Sequence, residues 1–166
     1  EEFKYMRSFT KDIFTSFEEK SIVAQGEIMS TNMVLNYLQE QGIKATLLSA
    51  FDFMRTDKNA EPDAQYIKEK LTAIMTENEG YQIYITQGFI CLNAYGEIDN
   101  LQRGGSDFTA SLIGVALGAE EIQIWTDIDG MHNNDPRIVD ETDAIRQLNF
   151  EEAAELAYFG AKILHP

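Results

Sequence analysis

Hydrophobic positions recur along the chain at helical intervals in some stretches and in short runs in others, and their alternation sets out the elements. Phe3, Met6, Ile13, Phe14 and Phe17 fall at helical spacing, as do Met29, Met33, Val34, Tyr37 and Leu38 in the next segment, which predicts two helices, each with one buried face. Gly42 interrupts the pattern, and the apolar run Thr46-Leu47-Leu48 reads as a short buried strand. The same order then returns. Pro62-Asp63 opens a helix whose inner face is Ile67, Leu71, Ile74 and Met75, Gly80 ends it, and the β-rich stretch 81–86 predicts a strand. A third round follows, with a small-residue helix over 107–117 stopped by Gly118 and a strand over 122–126. A last helix over 150–159 is prefaced by Asn149 with Glu152 three residues on, a reciprocal capping pattern, and Gly160 ends it.

Strands separated by helices of about ten or more residues need crossover connections, so the pattern predicts an α/β fold with a mainly parallel sheet covered on both faces. In open sheets of this kind ligands gather beyond the carboxyl ends of strands. The loops after Thr86 and Thr126 are therefore where chemistry is expected. No internal repeat and no Ser, Gly or Pro cluster marks a linker, and 166 residues suit one domain.

Composition adds limits. With 44% hydrophobic and 25% charged residues the chain can bury a sizeable core without disulfides or a structural metal. The one cysteine, Cys91, excludes a disulfide framework and a multi-cysteine zinc site, and fits a reducing cytoplasm. A net charge of -15 repels polyanions, making nucleic acid and anionic membranes poor partners. A nucleotide site would need local donors or a divalent ion. The longest nearly apolar stretch, 112–119, is far short of the roughly 18 to 20 residues that span a bilayer, and the acidic start Glu1-Glu2 does not read as a signal peptide.

The densest candidate for chemistry is Arg103-Gly104-Gly105-Ser106-Asp107, in a loop that opens a helix. The glycines let backbone approach a ligand, the helix-start amides attract anions, Ser106 can cap the helix or donate to an oxyanion, and Arg103 can grip a carboxylate or phosphate with its fork. Asp107 beside an anion site is costly unless it organises a lysine or a metal ion. The plain alternative is a glycine turn with Ser106 as N-cap and Asp107 favouring the helix dipole. Beyond the last predicted strand, Thr126-Asp127-Ile128-Asp129-Gly130 and Asn133-Asn134-Asp135-Pro136-Arg137 read either as a nucleotide or metal loop or as a solvated acidic turn. Their spacing lacks the Gly and closing Glu of a calcium loop. Lys162 can reach a phosphate or simply complement a helix dipole, and Glu27, in a segment that begins a helix, can take a substrate amino group. His132 and His165 share no ligand spacing with each other or with Cys91, so no zinc site is expected, and nothing places Ser106 beside a histidine.

Taken in order, Gly26-Glu27-Ile28-Met29-Ser30, Thr86-Gln87-Gly88-Phe89-Ile90, Arg103-Gly104-Gly105-Ser106-Asp107, Trp125-Thr126-Asp127, Asp135-Pro136-Arg137 and Phe159-Gly160-Ala161-Lys162-Ile163-Leu164-His165-Pro166 resemble aspartokinase over 26–166. The resemblance implies the amino-acid kinase fold, a three-layer α/β/α sandwich. It implies transfer of the ATP γ-phosphoryl group, with Mg2+ bound through the nucleotide phosphates, to the side-chain carboxylate of L-aspartate on the way to lysine, threonine and methionine. By the same pattern Glu27 would hold the substrate's amino group and Arg103 its α-carboxylate, with the Gly104, Gly105 and Ser106 amides nearby. Asp107 would organise catalytic lysines, Thr126, Asp127, Asp135 and Arg137 would contact the nucleotide, and Lys162 would meet its phosphates. A cytoplasmic homo-oligomer is implied for the full-length protein.

The chain departs from the family pattern at several points. His132-Asn133-Asn134 stands before Asp135 where the family usually has a tyrosine, Gln102 replaces a usual glycine, and Cys91 stands where a small residue is common. The opening strand with its Lys-Phe-Gly-Gly motif and the ACT regulatory domains have no counterpart in these residues, so 1–166 reads as an internal piece of the catalytic domain, incomplete at its N-terminus. The competing expectations are another amino-acid kinase, acting on glutamate or acetylglutamate, and a catalytically inert nucleotide- or amino-acid-binding module.

Overall fold

The computed structural model describes residues 2–9, 14–102, 104–127, 129–135 and 138–158. The chain divides into two compact units, Glu1–Ile122 and Gln123–Pro166. In the first, α1 (Glu2–Ser8) and α2 (Ser16–Glu40) lead into β1 (Ala45–Leu48), the short α3 (Ala50–Phe53), α4 (Ala64–Glu77) and β2 (Ile83–Thr86). The strands β3 (Ile90–Leu92) and β4 (Ile98–Asn100) and the helix α5 (Gly105–Leu117) complete it. In the second unit α6 (Phe150–Tyr158) follows a long irregular stretch.

β1 and β2 pair in parallel, with Ala45 opposite Ile83 and Leu48 opposite Thr86. The crossover between them runs through α3 and α4, the connection that a parallel pair demands. Asp63 caps α4 by accepting from the Tyr66 amide at 3.1 Å, and Arg55 reaches the same carboxylate at 2.5 Å. Ile67 and Leu71 of α4 are buried and Ile74 and Met75 flank them, as the periodicity predicts. They join Ala24, Leu48, Ala50, Phe53, Met54, Ile90 and Cys91 in one core.

The hairpin β3–β4 was not predicted. Cys91 pairs with Asp99, and the turn is closed by Asn93, whose side-chain oxygen accepts from the amides of Tyr95 (2.9 Å) and Glu97 (3.0 Å), while Gly96 takes φ +80°. Such a left-handed position suits glycine because no Cβ crowds the backbone.

The first two predicted helices require correction. α2 is one helix of 25 residues, started by a capping box between Thr15 and Glu18. It continues through Gly26, a residue that weakens a helix interior by only about 1 kcal/mol. Glu27 thus lies inside the helix, not at its beginning. The buried face is also different: Ser21, Ala24 and Gln25 are buried, whereas Met33, Val34 and Tyr37 are 72%, 50% and 60% exposed. The small residues let α2 approach β4 closely, and of the apolar stripe Met29 and Leu38 are half-buried while Met33, Val34 and Tyr37 stay exposed among the described residues. Ile13 lies outside the described residues.

The helix predicted over 107–117 forms as α5, starting earlier. Its N-cap is Gly104 at φ +76° with no side-chain cap, so Ser106 is not the cap, and Gly118 ends it at φ +63°. The predicted strand over 122–126 is absent among the described residues. A strand exists only through a hydrogen-bonded neighbour, and no ladder partner is found for these residues. Ile122 instead fills the space over Gly114, where an added Cβ would stand 2.3 Å from its Cδ1. The capping pattern before α6 is present: Asn149 accepts from the Glu152 amide and Glu152 from the Asn149 amide, both at 2.9 Å. Phe159 and Gly160 lie outside the described residues.

Candidate functional site

In the first unit the loop after β2 is pressed against the start of α5. A Cβ on Gly88 would meet Ser106 Cα, Cβ and Oγ at 3.1 Å, and one on Gly105 would meet Leu101 Cβ and Phe89 Cδ2 at 3.0 Å. Any larger residue at either position would have to push its neighbours aside. Phe89 and Gln102 themselves sit in the left-handed region at φ +69° and +60°. Phe89 is held there from both sides: its amide donates to Thr109 Oγ1 at 3.1 Å and its carbonyl accepts from the Leu101 amide at 2.8 Å. Strained backbone at non-glycine residues persists where the surroundings over-determine it, and such positions gather at ligand sites.

Gln87, 3% exposed, extends this arrangement to α2. Its Oε1 accepts from the Ala50 amide at 2.9 Å, and its Nε2 donates to Thr31 Oγ1 at 2.9 Å. Thr31 Oγ1 in turn donates to the Glu27 carbonyl at 2.8 Å. One buried amide therefore ties the helical turn bearing Glu27 to the loop whose next residue, Gly88, packs on Ser106. The half-buried Asp107 lies in the first turn of α5, where a carboxylate is favoured by the helix dipole; of the opening amides there, that of Gly105 already donates to the Gln102 carbonyl at 3.1 Å. Glu27, Gly104, Gly105, Ser106 and Asp107 thus belong to one packed region.

The second unit carries Thr126, Asp127 and Asp135. Thr126 Oγ1 lies 3.1 Å from Asp127 Oδ1, and both residues are exposed. Asp135 is buried, with its carbonyl accepting from the amides of Ile138 and Val139 at 2.9 and 3.0 Å. The segment around it folds back on itself. His132 pairs with Ala144, the Ile145 amide donates to the Met131 carbonyl at 2.7 Å, and the Asn133 amide to the Asp143 carbonyl at 3.1 Å. The His132 ring lies between Asp129 Oδ1 (2.6 Å) and Thr142 Oγ1 (2.8 Å). This hydrogen bond from His132 holds the Asp129 carboxyl below the usual carboxylate range. No three His, Cys, Asp or Glu side chains gather to hold a metal ion among the described residues.

Arg103, Arg137 and Lys162, the cationic members of the expected site, lie outside the described residues. Two residues that organise the described part escaped the sequence reading as such. Gln87 carries no local signal, since its role depends on partners 56 and 37 positions away. The engagement of His132 was hinted only by its replacing the usual tyrosine.

Comparison with known proteins agrees with the resemblance. The chain is 42% identical over 150 residues to the lysine-sensitive aspartokinase 3 of Escherichia coli (strain K12), which covers 87% of this chain and 33% of that protein. It is 40% identical over 151 residues to the chloroplastic aspartokinase 2 of Arabidopsis thaliana, covering 87% of this chain and 28% of that one. Among solved structures, E. coli aspartokinase III in complex with aspartate and ADP (R-state) superposes with a TM-score of 0.87 at 38% identity, over 98% of this chain and 37% of that chain. Clostridium acetobutylicum aspartate kinase gives 0.76 at 26% identity, over 99% and 35%. The chain spans about a third of the length of these relatives. The α/β fold expected from the sequence is the amino-acid kinase fold of these neighbours. The profile of the amino acid kinase family matches residues 4–166, and the chain belongs to that family.

Proposed function

We propose that the chain forms part of an aspartate kinase that transfers the γ-phosphoryl group of ATP to the side-chain carboxylate of L-aspartate, for lysine, threonine and methionine biosynthesis. The observation that carries the reading is the Gln87 bridge with the Gly88–Ser106 contact, which unites the Glu27 turn and the start of α5. Similarity to a kinase solved with aspartate and ADP supports it.

In this reading Glu27 takes the substrate's amino group, Arg103 its α-carboxylate, and the Gly104 and Ser106 amides face the anionic groups between, while Gly105, whose amide is held by the Gln102 carbonyl, permits the close approach. The aspartate carboxylate is already ionised at neutral pH, so no general base is needed. Its oxygen forms a bond to the γ-phosphorus as the bond to the β–γ bridging oxygen breaks, and ADP leaves with that electron pair. Asp107 orients catalytic lysines, Thr126, Asp127, Asp135 and Arg137 hold the nucleotide, and Lys162 meets its phosphates. Mg2+, a hard cation that prefers oxygen ligands, would be bound through the nucleotide phosphates and would supply charge neutralisation there. Positioning and charge neutralisation then carry the catalysis. The opening lysine motif and ACT domains belong, in this reading, to sequence beyond these residues. A reducing cytoplasm suits the free, buried Cys91, and a homo-oligomer follows the family resemblance.

Arg103→Ala in the longer kinase tests the reading, with aspartyl phosphate trapped by hydroxylamine. Loss of a bidentate carboxylate contact should raise the KM for aspartate about tenfold to a hundredfold, or roughly 1.5 to 3 kcal/mol. Unchanged aspartate saturation would overturn it.

A further inference from the structure

Both ring nitrogens of His132 are engaged while the residue is 8% exposed. Its partners lie on opposite limbs of one loop: Asp129 precedes the fold-back, and Thr142 lies on the returning limb beside the main-chain contacts of 131–133 with 143–145. Asp135 sits within the span that these contacts close, and it is buried there. A carboxylate only accepts, so Nε2 carries the proton toward Asp129, and in the neutral ring Nδ1 accepts from the Thr142 hydroxyl. Each contact fixes one end of the ring.

We propose that His132 is a positioning residue that clasps the two limbs of the 129–145 loop and so holds Asp135 in place for the nucleotide. The nucleotide as ligand rests on the kinase reading above; the clasp rests on the loop's own geometry. A tyrosine at this position cannot perform the same task, because its single hydroxyl cannot serve two partners at opposite ends of a ring. The clasp therefore predicts that His132→Tyr behaves like His132→Ala.

The first arm of the test needs no nucleotide. With two histidines in the chain, His132→Gln assigns the His132 signals in long-range proton–nitrogen spectra of the 166-residue protein. The proton should reside on Nε2, and Thr142→Val should shift the Nδ1 signal. A proton on Nδ1, or signals indifferent to both Thr142→Val and Asp129→Asn, would overturn the clasp. The second arm measures Mg-ATP affinity by calorimetry in the longer kinase, with the aspartate KM measured alongside. His132→Ala and Thr142→Val should each weaken Mg-ATP binding by roughly tenfold, as expected for lost hydrogen bonds in a fixed network, with the aspartate KM changed less than about twofold. The double variant should be little worse than the single ones. His132→Tyr should bind as poorly as His132→Ala; a tyrosine variant with wild-type affinity, or fully additive single effects, would overturn the proposal. A parent protein that binds no Mg-ATP would overturn the kinase reading, with the spectra still deciding the clasp.

Discussion

Gly88 and Gly105 in the first unit pack so closely that a Cβ added to them would stand 3.0 to 3.1 Å from Ser106, Phe89 and Leu101, over a core that includes Ile90 and Cys91. In the second unit the 129–145 loop is tied by His132, Asp129, Thr142 and Asn133, through polar groups. The two regions, each taken by itself, hold their residues by different forces. Close packing answers to volume and hardly to charge, since a filled interior has no room to give. A polar clasp answers to protonation and hydrogen-bonding partners, and tolerates volume at its exposed edges. Substitution and pH should therefore separate the two.

The largest effect is expected from Gly105→Val. The new Cβ would stand 3.0 Å from Leu101 Cβ and 3.2 Å from Phe89 Cα, and the second of these is backbone. Overpacking of this kind costs on the order of 3 kcal/mol, read as a lower midpoint in urea unfolding of the first unit. A midpoint unchanged within error would show that the α5 start is free to move and would dissolve the contrast.

Cys91 sharpens the same side of the comparison. Burial pushes its thiol up to about 12, with the Asp99 charge adding to the rise. The folded state thus retains the proton while an unfolded thiol ionises near pH 8.5, so this stabilisation is complete below that pH and lost as pH climbs toward 12. Unfolding midpoints should hold from about pH 6 to 8 and fall beyond roughly 9. Cys91→Ala, though less stable from the start, should lack the thiol's share of that fall. A Cys91 alkylated by iodoacetamide at pH 8.5 as fast as a free thiol would contradict the burial.

Legibility in the sequence divides along similar lines. The stripe of Ile67, Leu71, Ile74 and Met75 located α4 and its buried face because local period and tertiary environment agree there. On α2 the period gave a helix but the wrong face: periodicity reports that a stripe exists, not that another element covers it. Met33 and Tyr37 remain outside while Ser21 and Ala24 pack inward. The β3–β4 hairpin had a usable signal in Asn93 and Gly96, but its two strands are three residues each, too short for an alternating pattern to show. Residues 122–126 have strand propensity without a strand neighbour among the described residues, and propensity yields to that lack. In the site, Gly104-Gly105-Ser106-Asp107 was legible because close backbone approach demands glycine, whereas Gln87 acts through distant partners and leaves no local trace.

A smaller effect should follow Asn149→Ala in the second unit. The reciprocal bonds between Asn149 and Glu152 satisfy amides at the start of α6. Their loss should cost about 1 kcal/mol, seen as reduced helicity and faster amide exchange over 150–153. Exchange there that matches the parent protein would mean that α6 is held by contacts other than its cap.

The smallest effect is reserved for acid and tests the clasp against the packed region directly. Asp129 has its carboxyl lowered by the hydrogen bond from His132, and its side chain is 77% exposed. A depressed carboxylate contributes its stabilisation above its unfolded value, near 3.9, and loses it as pH falls through the lower folded value. Between about pH 5 and 4 the loop should remain closed, and below about 4 the amides of 131–133 and 143–145 should shift as the charge on Asp129 is lost. Asp143 and Asp135 lie in the same loop, so Asp129→Asn provides the control: the share of the shift missing from that variant belongs to Asp129. Because the pair faces solvent on the Asp129 side, added salt should weaken it further, and the global unfolding midpoint should scarcely change. The amides around Gly88 and Gly105 should stay still throughout. If they move together with those of the clasp, the two regions share one electrostatic network, and the division between packing and polar ties fails.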